Sequence, residues 1–193
     1  DGEDLAAPGV SWPEVRRRIG MVFQSYELFP HLTVMGNLTL APGLVAGESR
    51  ADAEERAHKL LERVGLAGLA DADPRSLSGG QLQRLALAGA LARSPRLLIS
   101  DESTAMIDRA GRGEMLDLLA SLPARGIAVV HITHDPAEAA RADRVITVDE
   151  GRVLSDVSGS SSIDEAGAGD GENGADRVEL APASSVGLVS GSV

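Results

Sequence analysis

The chain has 193 residues, of which 43% are hydrophobic and only 2% aromatic, and its formal net charge is −11. This length is enough for one globular domain, whose core must be built from Leu, Val, Ile and Ala. The acidic balance argues against broad contact with a nucleic acid backbone, and the absence of cysteine excludes disulfides and thiolate chemistry.

The first third of the chain predicts mostly helices, with one strand that ends at Gln24. The strand is an apolar run, and the longest helix has its apolar residues on one face and its charged residues on the other. The predicted elements are, in order, a short helix from residue 11, a strand over 19–23, a short helix over 34–40, a loop over 42–48 and a helix over 49–64.

A glycine loop, Leu77-Ser78-Gly79-Gly80-Gln81-Leu82-Gln83-Arg84, precedes the next predicted helix, which ends near Ser94 before Pro95. Gly79 and Gly80 leave backbone N–H groups uncovered, and the positive end of the helix dipole points to the same place. Such a place binds phosphate oxygens well. An ordinary helix N-cap would also explain a bare Ser-Gly-Gly pattern.

Strands alternate with helices after this point. The predicted elements are a strand over 96–100, a helix over 111–122, a strand over 127–133, a short helix over 136–141, and strands over 145–148 and 152–154. This alternation indicates an α/β domain with a mainly parallel sheet. Ligands of such sheets collect at the carboxyl ends of the strands, where Gln24, Asp101, Glu102 and His134 are expected.

The composition changes after about Val157. Residues 158–193 are rich in Gly, Ser and acidic groups, with a single arginine and no aromatic residue. Because so little apolar surface would not offset the entropy of ordering the segment, we expect a disordered tail or linker. A strand over 178–180 is the less favoured alternative. We expect that deleting the tail leaves the folding of the body unchanged.

The glycine loop and its surroundings resemble the ATPases of the ATP-binding-cassette (ABC) family. Residues 77–84 are similar to the signature motif, and 97–102 are similar to the Walker B motif. Residues 103–108 resemble the D-loop, with serine at 103 where many members have proline. Residues 133–135, Thr-His-Asp, resemble the switch region, and Gln24 after Met-Val-Phe resembles the Q-loop glutamine.

The resemblance covers residues 1 to about 157. It implies an incomplete P-loop NTPase core with a RecA-like parallel sheet and a helical subdomain inserted at about 34–92. It also implies roles for the strand-end residues. Asp101 would hold Mg²⁺ through its water shell, and Glu102 would polarise the attacking water. His134 would contact the γ-phosphate, and Gln24 would reach Mg²⁺. His131, within the strand, is interpreted as packing.

A trans arrangement is also implied, because the signature motif of one ABC subunit completes the ATP site of the other. The residues expected to face a partner's ATP are Ser78, Gly79, Gly80 and Gln81. Asp108 would lie at the dimer seam with the rest of the D-loop.

The Walker A loop of the family, G-x-x-x-x-G-K-[ST], has no counterpart in this sequence. The only lysine, Lys59, lies on a predicted helix with no glycine beside it. Residues 1–5 resemble the turn downstream of Walker A, so the chain is expected to start late and to lack a central strand. We therefore expect a gap in the sheet, an apolar seam beside strand 96–100, and weak ATP binding by the chain alone.

The sequence thus predicts an ATP-binding and ATP-hydrolysing subunit of an ABC importer, with ATP and Mg²⁺ as cofactors. The expected partners are a second ABC ATPase subunit and a transmembrane permease subunit reached through the Q-loop region, at the inner face of the cell membrane. No nucleic acid partner is expected. Residues 16–42 are similar to polar amino acid importers, and the part from Leu77 onward to energy-coupling-factor and cobalt importers. A polar amino acid is narrowly favoured as solute over cobalt or a vitamin.

Two other functions are weighed against the importer subunit. A degenerate cassette would bind a complete cassette or a membrane subunit without an ATPase site of its own. This differs from the first hypothesis in whether a Walker A segment lies upstream in the gene. A soluble ABC ATPase of DNA repair is disfavoured, because the long coiled-coil insertion is absent and the charge is acidic.

Overall fold

The computed structural model describes residues 4–46, 49–158 and 185–190, and the elements that follow are those of these ranges. The helices are α1 (Trp12–Arg17), α2 (Val34–Ala46), α3 (Arg50–Arg63), α4 (Gly79–Ala92), α5 (Arg109–Ser121) and α6 (Pro136–Ala139). The strands are β1 (Ile19–Val22), β2 (Leu97–Asp101), β3 (Ala128–Thr133), β4 (Arg144–Asp149), β5 (Arg152–Ser158) and β6 (Ser185–Ser190).

In the described part of the chain, all strands join one six-stranded sheet, in the order β1-β2-β3-β6-β4-β5. Every neighbouring pair is parallel except β4 and β5, which form an antiparallel hairpin at one edge. Parallel neighbours need crossover connections, which α2 to α4 supply between β1 and β2 and α5 supplies between β2 and β3. The predicted α/β class with a mainly parallel sheet is confirmed.

The chain between β1 and β2 is helical, as predicted, but α2 is longer than the sequence suggested. The loop predicted over 42–48 is wrong for 42–46, because α2 continues through Pro42 to Ala46. A proline inside a helix removes one backbone hydrogen bond, and α2 tolerates that loss. Ser49 caps α3 by accepting a hydrogen bond from the Asp52 N–H at 3.2 Å. The subdomain boundaries at about 34–92 stay a prediction.

One aliphatic core joins the helical region to the sheet. Its most deeply buried members include Leu61 of α3, Leu85 of α4, Leu98 of β2 and Met115 of α5. Gly20 lets β1 approach α4, because a Cβ at this position would lie 3.1 Å from the Ala90 carbonyl oxygen. No Phe, Tyr or Trp side chain is among the buried residues of the described ranges, and Trp12 is 50% exposed.

Strand β6 contradicts the prediction of a disordered tail for part of the segment 158–193. Residues 185–190 form a parallel strand between β3 and β4. Six residues with two strand-favouring valines are enough for this, because the edges of two neighbouring strands supply backbone partners on both sides. Residues 159–184 and 191–193, including the possible strand over 178–180, lie outside the described residues.

The predicted gap and its apolar seam are also wrong for the described sheet. Strand β2, which covers most of the predicted strand 96–100, is paired with β1 on one side and with β3 on the other. The place between β3 and β4 is filled by β6. The sheet is therefore continuous from β1 to β5.

Candidate functional site

Four of the predicted site residues lie at or just after strand ends on the same edge of the sheet, and Asp101 is the last residue of its strand. Val22, the last residue of β1, is level with Ser100 of β2, and Asp101 is level with Ile132 of β3. The residues that come next, Gln24, Glu102 and His134, therefore leave the sheet on its carboxyl side, where α/β sheets bind their ligands. Gln24 is exposed in the loop that follows β1.

Glu102 and His134 lie close together at this edge. The His134 Nδ1 is 3.5 Å from the Glu102 Oε1, with 57% of the His134 side chain and 34% of the Glu102 side chain exposed. The Glu102 N–H donates to the Ile132 carbonyl oxygen at 3.0 Å, which extends the β2–β3 pairing by one residue. This backbone bond fixes where the Glu102 side chain begins.

The backbone of Glu102 is left-handed, with φ of 45°. L-residues other than Asn, Asp and Gly rarely adopt this conformation, which costs about 1–2 kcal/mol. Residues held in such conformations cluster at active sites, because the surrounding structure must stabilise them. The strain makes Glu102 the most constrained of the strand-end residues.

A buried carboxylate, that of Glu138 on α6, lies beneath the pair. Glu138 is 5% exposed, and its Oε2 accepts hydrogen bonds from the hydroxyls of Thr104 and Thr133, each at 2.8 Å. The His131 Nε2 lies 3.1 Å from the same oxygen. Glu138 thus connects the segment after Glu102 to the strand that carries His134.

Two opposing effects set the pKa of Glu138. Burial raises the pKa of this carboxyl, and the hydrogen bonds from Thr104, Thr133 and His131 lower it. The hydrogen bonds prevail, so the pKa lies below the ordinary value of a glutamate and the group is a carboxylate at neutral pH. A buried anion with three donors holds those donors in place.

The polar network continues to β2 and α5. The His131 Nδ1 lies 3.1 Å from the Ser100 hydroxyl, which is 2.6 Å from the hydroxyl of Ser103. On the other side, Arg112 of α5 lies 3.4 Å from the Asp135 carboxylate and 3.6 Å from that of Glu138. A cavity of about 100 Å³ opens here, lined by Glu102, Thr104, Arg112, His134 and their neighbours.

The glycine loop forms a capping box at the start of α4. The Ser78 hydroxyl accepts a hydrogen bond from the Gln81 N–H at 3.3 Å, and the Ser78 N–H donates to the Gln81 Oε1 at 2.9 Å. Helix geometry leaves the N–H groups of Gly79 and Gly80 without an intrahelical acceptor. Ser78 is exposed, and these amides are available to an anion.

The glycine loop packs against the residues that follow β1 and β2. A Cβ at Gly79 would lie 3.2 Å from the Tyr26 hydroxyl and 3.4 Å from the Met106 carbonyl oxygen. Gly79 therefore allows the loop to approach both segments. The loop does not line the cavity beside Glu102 and His134, so this chain presents the two groups of residues at separate places.

Asp108, predicted at the dimer seam, serves as the N-cap of α5. Its Oδ1 accepts a hydrogen bond from the Gly111 N–H at 2.8 Å, and the residue is exposed. Gly111 is required there, because a Cβ would lie 2.7 Å from the Ile107 Cγ2. Asp108 is thus at the surface and is not among the residues that line the cavity beside Glu102 and His134.

Sequence reasoning missed Glu138 and assigned His131 to packing alone. His131 is buried, but both ring nitrogens have polar neighbours, so it is part of the network. The sequence pattern of β3 could have indicated this network, because every second residue of the strand, Val129, His131 and Thr133, lies on its buried face. Two polar residues on a buried face require partners, and the partner follows shortly after His134 in the sequence.

The donor set of this edge fits a magnesium ion with a nucleotide. Asp101, Glu102 and Gln24 offer oxygen ligands, which Mg²⁺ prefers. The described residues include no group of three or more His, Cys, Asp or Glu that would hold a metal by themselves. Magnesium with a nucleotide uses one or two carboxylates and completes its shell with water and phosphate oxygens. The residues present fit that arrangement.

No lysine lies at this edge. The only lysine of the chain, Lys59, is on α3, where its Nζ lies 2.6 Å from the Glu55 Oε1. The Arg112 guanidinium, beside Asp135, lines the same cavity as Glu102 and His134. None of the helices in the described ranges combines the length and apolarity needed to cross a lipid bilayer.

A parallel sheet with an Asp-Glu pair and a histidine at its strand ends, beside a glycine loop that opens a helix, defines a nucleotide-binding α/β domain. The family model of the ABC transporters matches residues 1–105. The chain therefore belongs to the ABC transporter family, and the resemblance seen in its motifs is confirmed.

Curated relatives and solved structures agree with this assignment. The chain is 45% identical over 157 residues to the glutamate transport ATP-binding protein GluA of Corynebacterium efficiens, covering 81% of this chain and 65% of the relative. It is 43% identical over 144 residues to the glutamate/aspartate import ATP-binding protein GltL of Escherichia coli K12, covering 74% and 60%. It thus spans less than two thirds of the length of these relatives.

A solved structure shows the same fold. The ATP-binding cassette MJ0796, in a dimeric post-hydrolysis state bound to ADP and Pi, matches with a TM-score of 0.68 and 32% sequence identity. The match covers 78% of this chain and 68% of that one. The predicted P-loop NTPase fold is confirmed by this likeness.

Proposed function

We propose that this chain acts in the ATP-binding subunit of an ABC importer, which hydrolyses ATP to energise the uptake of a polar amino acid. The observation that carries the proposal is the Glu102–His134 pair, 3.5 Å apart at the carboxyl edge of a parallel sheet. The family assignment supports the nucleotide, and the curated relatives support the direction of transport.

Glu102 is the general base in this proposal. Its carboxylate is partly exposed at the strand end and would take a proton from the attacking water. His134 turns its Nδ1 towards Glu102, so its Nε2 lies on the far side of the ring, available to a phosphate oxygen. Mg²⁺ beside Asp101 and Gln24 would neutralise charge on the phosphates.

The buried network would position these two residues. Glu138 accepts hydrogen bonds from Thr133, directly before His134, and from Thr104, shortly after Glu102. Because the same oxygen receives both bonds, the two segments cannot move apart without breaking one of them. Glu138 is therefore a positioning residue in this proposal.

A second ABC subunit is the proposed partner at the nucleotide. The glycine loop, with Ser78, Gly79, Gly80 and Gln81, does not line the cavity beside Glu102 and His134. We therefore assign it to nucleotide held by the partner subunit, with Asp108 at the seam between the two. The dimeric state of the solved relative supports this arrangement.

The proposed solute is a polar amino acid of the glutamate type. The names of the relatives refer to glutamate and aspartate, and the 157 matched residues extend over both halves that the sequence assigned to different solutes. The similarity of the later part to cobalt and energy-coupling-factor importers is therefore not favoured. Glutamate is the first solute to test.

The proposed membrane partner is a permease subunit that docks beside Gln24, with this chain peripheral at the inner face of the membrane. The surface there is apolar, since Met21 is 41% exposed and Phe29 is 47% exposed. A cavity of about 280 Å³ lies between β1, the loop with Tyr26 and the helices α2 and α4. Such an exposed apolar surface is typical of a protein contact.

The test is ATP hydrolysis by protein expressed from the complete reading frame. Glu102→Gln is expected to lower the rate by about 100-fold or more, because a positioned base contributes that much. Glu150→Gln is the matched control, since Glu150 has the same φ of 45° but lies in the β4–β5 turn. The control is expected to hydrolyse ATP at the parent rate.

Two outcomes would contradict the proposal. Parent-like hydrolysis by Glu102→Gln would show that Glu102 is not the base. Complete absence of hydrolysis in the unmodified protein, with its permease present, would favour the alternative of a non-catalytic binding cassette.

A further inference from the structure

A cationic cavity lies at the amino ends of β2 and β3, opposite the candidate catalytic edge. It has a volume of about 450 Å³ and is lined by α3, the end of α4 and the turns that lead into the two strands. Ser94 and Pro95 precede β2, and Gly126 and Ile127 precede β3. Because Glu102 follows the other end of β2, the five residues of that strand, about 16 Å in length, separate it from the cavity.

The lining of this cavity is unbalanced in charge. Among the described residues that line it, none is acidic and four are cationic, namely Arg56, Lys59, Arg63 and Arg125. The chain as a whole has a formal net charge of −11. The cavity therefore concentrates positive charge in a chain that is acidic overall.

Two of the four cationic side chains have partners within the protein. The Lys59 Nζ lies 2.6 Å from the Glu55 Oε1. The Arg56 Nη1 donates a hydrogen bond to the Ala92 carbonyl oxygen at 2.9 Å. Ala92 is the last residue of α4, so this bond satisfies a carbonyl group that the helix leaves without an internal partner.

The other two guanidinium groups, those of Arg63 and Arg125, have no hydrogen bond or ion pair in the described part of the chain. Arg63 is half-buried on α3, and Arg125 is exposed in the turn before β3. Burial lowers the pKa of Arg63, and the positive charge of Arg125 lowers it further. Both groups are cationic at neutral pH, so the fold holds two like charges beside one cavity.

Helix dipoles account for only part of this positive charge. Arg63 lies in the last turn of α3, and Arg125 ends the short 3₁₀ turn Pro123–Arg125, and a helix dipole favours a cation at such positions. The dipole is equivalent to about half an elementary charge at each helix end. Two guanidinium groups therefore leave an excess of positive charge, which a bound anion would neutralise.

The chemistry of the lining matches a phosphate group that carries an organic substituent. A guanidinium group binds phosphate oxygens through two parallel N–H donors, and a phosphate monoester carries about two negative charges at neutral pH. Leu60 and Leu91 are buried beside the cavity, and Pro95 and Ile127 add apolar surface. The net charge of −11 would repel an extended anionic surface such as a membrane, so a small soluble ligand is favoured.

We propose that this cavity binds a soluble phosphate monoester, with Arg63 and Arg125 in contact with the phosphate oxygens and the apolar walls in contact with the organic part. The site lies at the opposite end of β2 from the proposed ATP site and does not depend on it. Its function is therefore separate from hydrolysis.

NMR titration of the ¹⁵N-labelled chain of 193 residues with phenyl phosphate tests the site. At constant ionic strength, the side-chain Nε–H signals of Arg63 and Arg125 and the amide signals of Gly126 and Ile127 are expected to shift and to saturate. The expected Kd is about 1 mM, the affinity that two hydrogen bonds to charged groups supply. Benzoate, which has the same ring but a single negative charge, is expected to bind about 10-fold more weakly, because it forms fewer such bonds.

Two variants test the assigned residues. Arg63→Gln and Arg125→Gln are each expected to raise the Kd for phenyl phosphate about 10-fold or more, because each removes bonds from a charged group. Arg50→Gln is the matched control on the same helix as Arg63, since Arg50 pairs with Glu54 at 2.8 Å and does not line the cavity. The control is expected to keep the parent Kd.

Stability separates ligand binding from a structural role. Because burial and the Arg125 charge both oppose the charged form of Arg63, Arg63→Gln is expected to unfold at the same urea concentration as the parent or a higher one. Arg125 is exposed in a turn, so Arg125→Gln keeps the test available if Arg63→Gln does not fold.

Several results would overturn the proposal. The first is the absence of saturable shifts at the cavity, and the second is an affinity for benzoate equal to that for phenyl phosphate. Parent-like affinity in both Arg63→Gln and Arg125→Gln would assign these side chains to the helix ends instead. Binding of phosphatidic acid vesicles without binding of phenyl phosphate would contradict a soluble ligand.

Discussion

Glu102 combines a partly exposed carboxylate with a left-handed backbone, and the two properties have different consequences. The carboxylate faces His134, whereas the backbone conformation, φ of 45°, is one that glycine adopts without cost. Glycine would carry no strain at this position, so the contribution of the backbone and that of the side chain can be tested separately.

Replacement of Glu102 by glycine should therefore separate stability from activity. Glu102→Gly is expected to raise the free energy of unfolding by up to about 1 kcal/mol, because the left-handed strain is removed, while ATP hydrolysis is lost. Urea unfolding followed by far-ultraviolet circular dichroism measures the first effect. Glu150→Gly, at the other glutamate with this conformation, should gain stability without losing hydrolysis. A less stable Glu102→Gly would show that side-chain contacts outweigh the strain.

Glu138 should make stability depend on pH in the acid range. Its pKa is lower in the folded chain than in the unfolded chain, where a glutamate titrates near about 4.3. The stabilisation is therefore fully present above about pH 4.3 and is lost as the pH falls through the lower folded value. His131 and Arg112 also face this carboxylate, and both favour its charged form.

Glu138→Gln tests this dependence. The variant is expected to be less stable than the parent by about 1–3 kcal/mol at pH 7, since charge-assisted hydrogen bonds are lost. That difference should shrink as the pH is lowered below about 4.3, because the parent loses the same stabilisation on protonation. Urea unfolding at a series of pH values gives the difference, with Glu62→Gln at an exposed position as control. A difference that stays constant with pH would contradict the assignment.

At the level of elements, the start of α4 has two separable uses. Its capping box satisfies helix N–H groups internally, and its exposed glycine amides are left for an anion. Both uses depend on Ser78, which sequence reasoning described either as a cap or as a phosphate contact. The structure shows the cap and leaves the phosphate contact as a proposal.

Two substitutions of Ser78 distinguish these uses. Ser78→Ala is expected to lower stability by about 1 kcal/mol, because the cap is lost. Ser78→Asp keeps a capping oxygen and should stay stable, but its charge would repel phosphate, so hydrolysis by the protein from the complete reading frame should fall. Ser49→Ala removes the equivalent cap of α3 and should lower stability alone. Full hydrolysis by Ser78→Asp would exclude a phosphate at this position.

Most elements could be predicted from the sequence, because their apolar periods and their Gly or Pro boundaries are local signals. The strand β6 could not, since composition averaged over 158–193 hides a strand of six residues. Its stability comes from β3 and β4, which are distant in sequence and supply both ladders. The loop predicted from Pro42 onward was wrong for a similar reason. Proline usually ends a helix, but α2 continues through it to Ala46.

The candidate site likewise contains residues that could be predicted from the sequence and one that could not. Asp101, Glu102, His134 and the glycine loop could be found from motifs, because each stands at a strand end or a helix start. Glu138 could not be identified as a site residue from the sequence, because a glutamate on a short helix is usually exposed. Its burial depends on Thr104, Thr133 and His131, whose polar atoms all contact one carboxylate oxygen. Such a set of contacts is a property of tertiary structure.

At the level of the whole molecule, the distribution of charge determines how readily this chain binds a nucleotide. The net charge is −11, the strand-end edge carries Asp101 and Glu102, and the only lysine is ion-paired on α3. A triphosphate would therefore be repelled over most approaches unless Mg²⁺ accompanies it. The glycine loop alone offers only a few amide donors.

The chain by itself is accordingly expected to bind Mg·ATP with a Kd above about 0.1 mM, which corresponds to less than about 5.5 kcal/mol of binding free energy. Isothermal titration calorimetry of the 193-residue chain measures this directly. Titration with Mg·ADP is the control for contacts that do not involve the γ-phosphate. A Kd in the low micromolar range would show that the residues present are sufficient for tight binding.

The aliphatic core has a practical consequence for optical spectroscopy. Because the buried residues of the described ranges include no Phe, Tyr or Trp and Trp12 is half exposed on α1, intrinsic fluorescence barely senses the melting of the interior. A fluorescence melting curve would report the surroundings of one short amino-terminal helix. Methyl resonances of Leu and Val, in contrast, sample the interior from α3 to β3, so isotope-labelled methyl groups are the natural reporters of cooperativity in this domain.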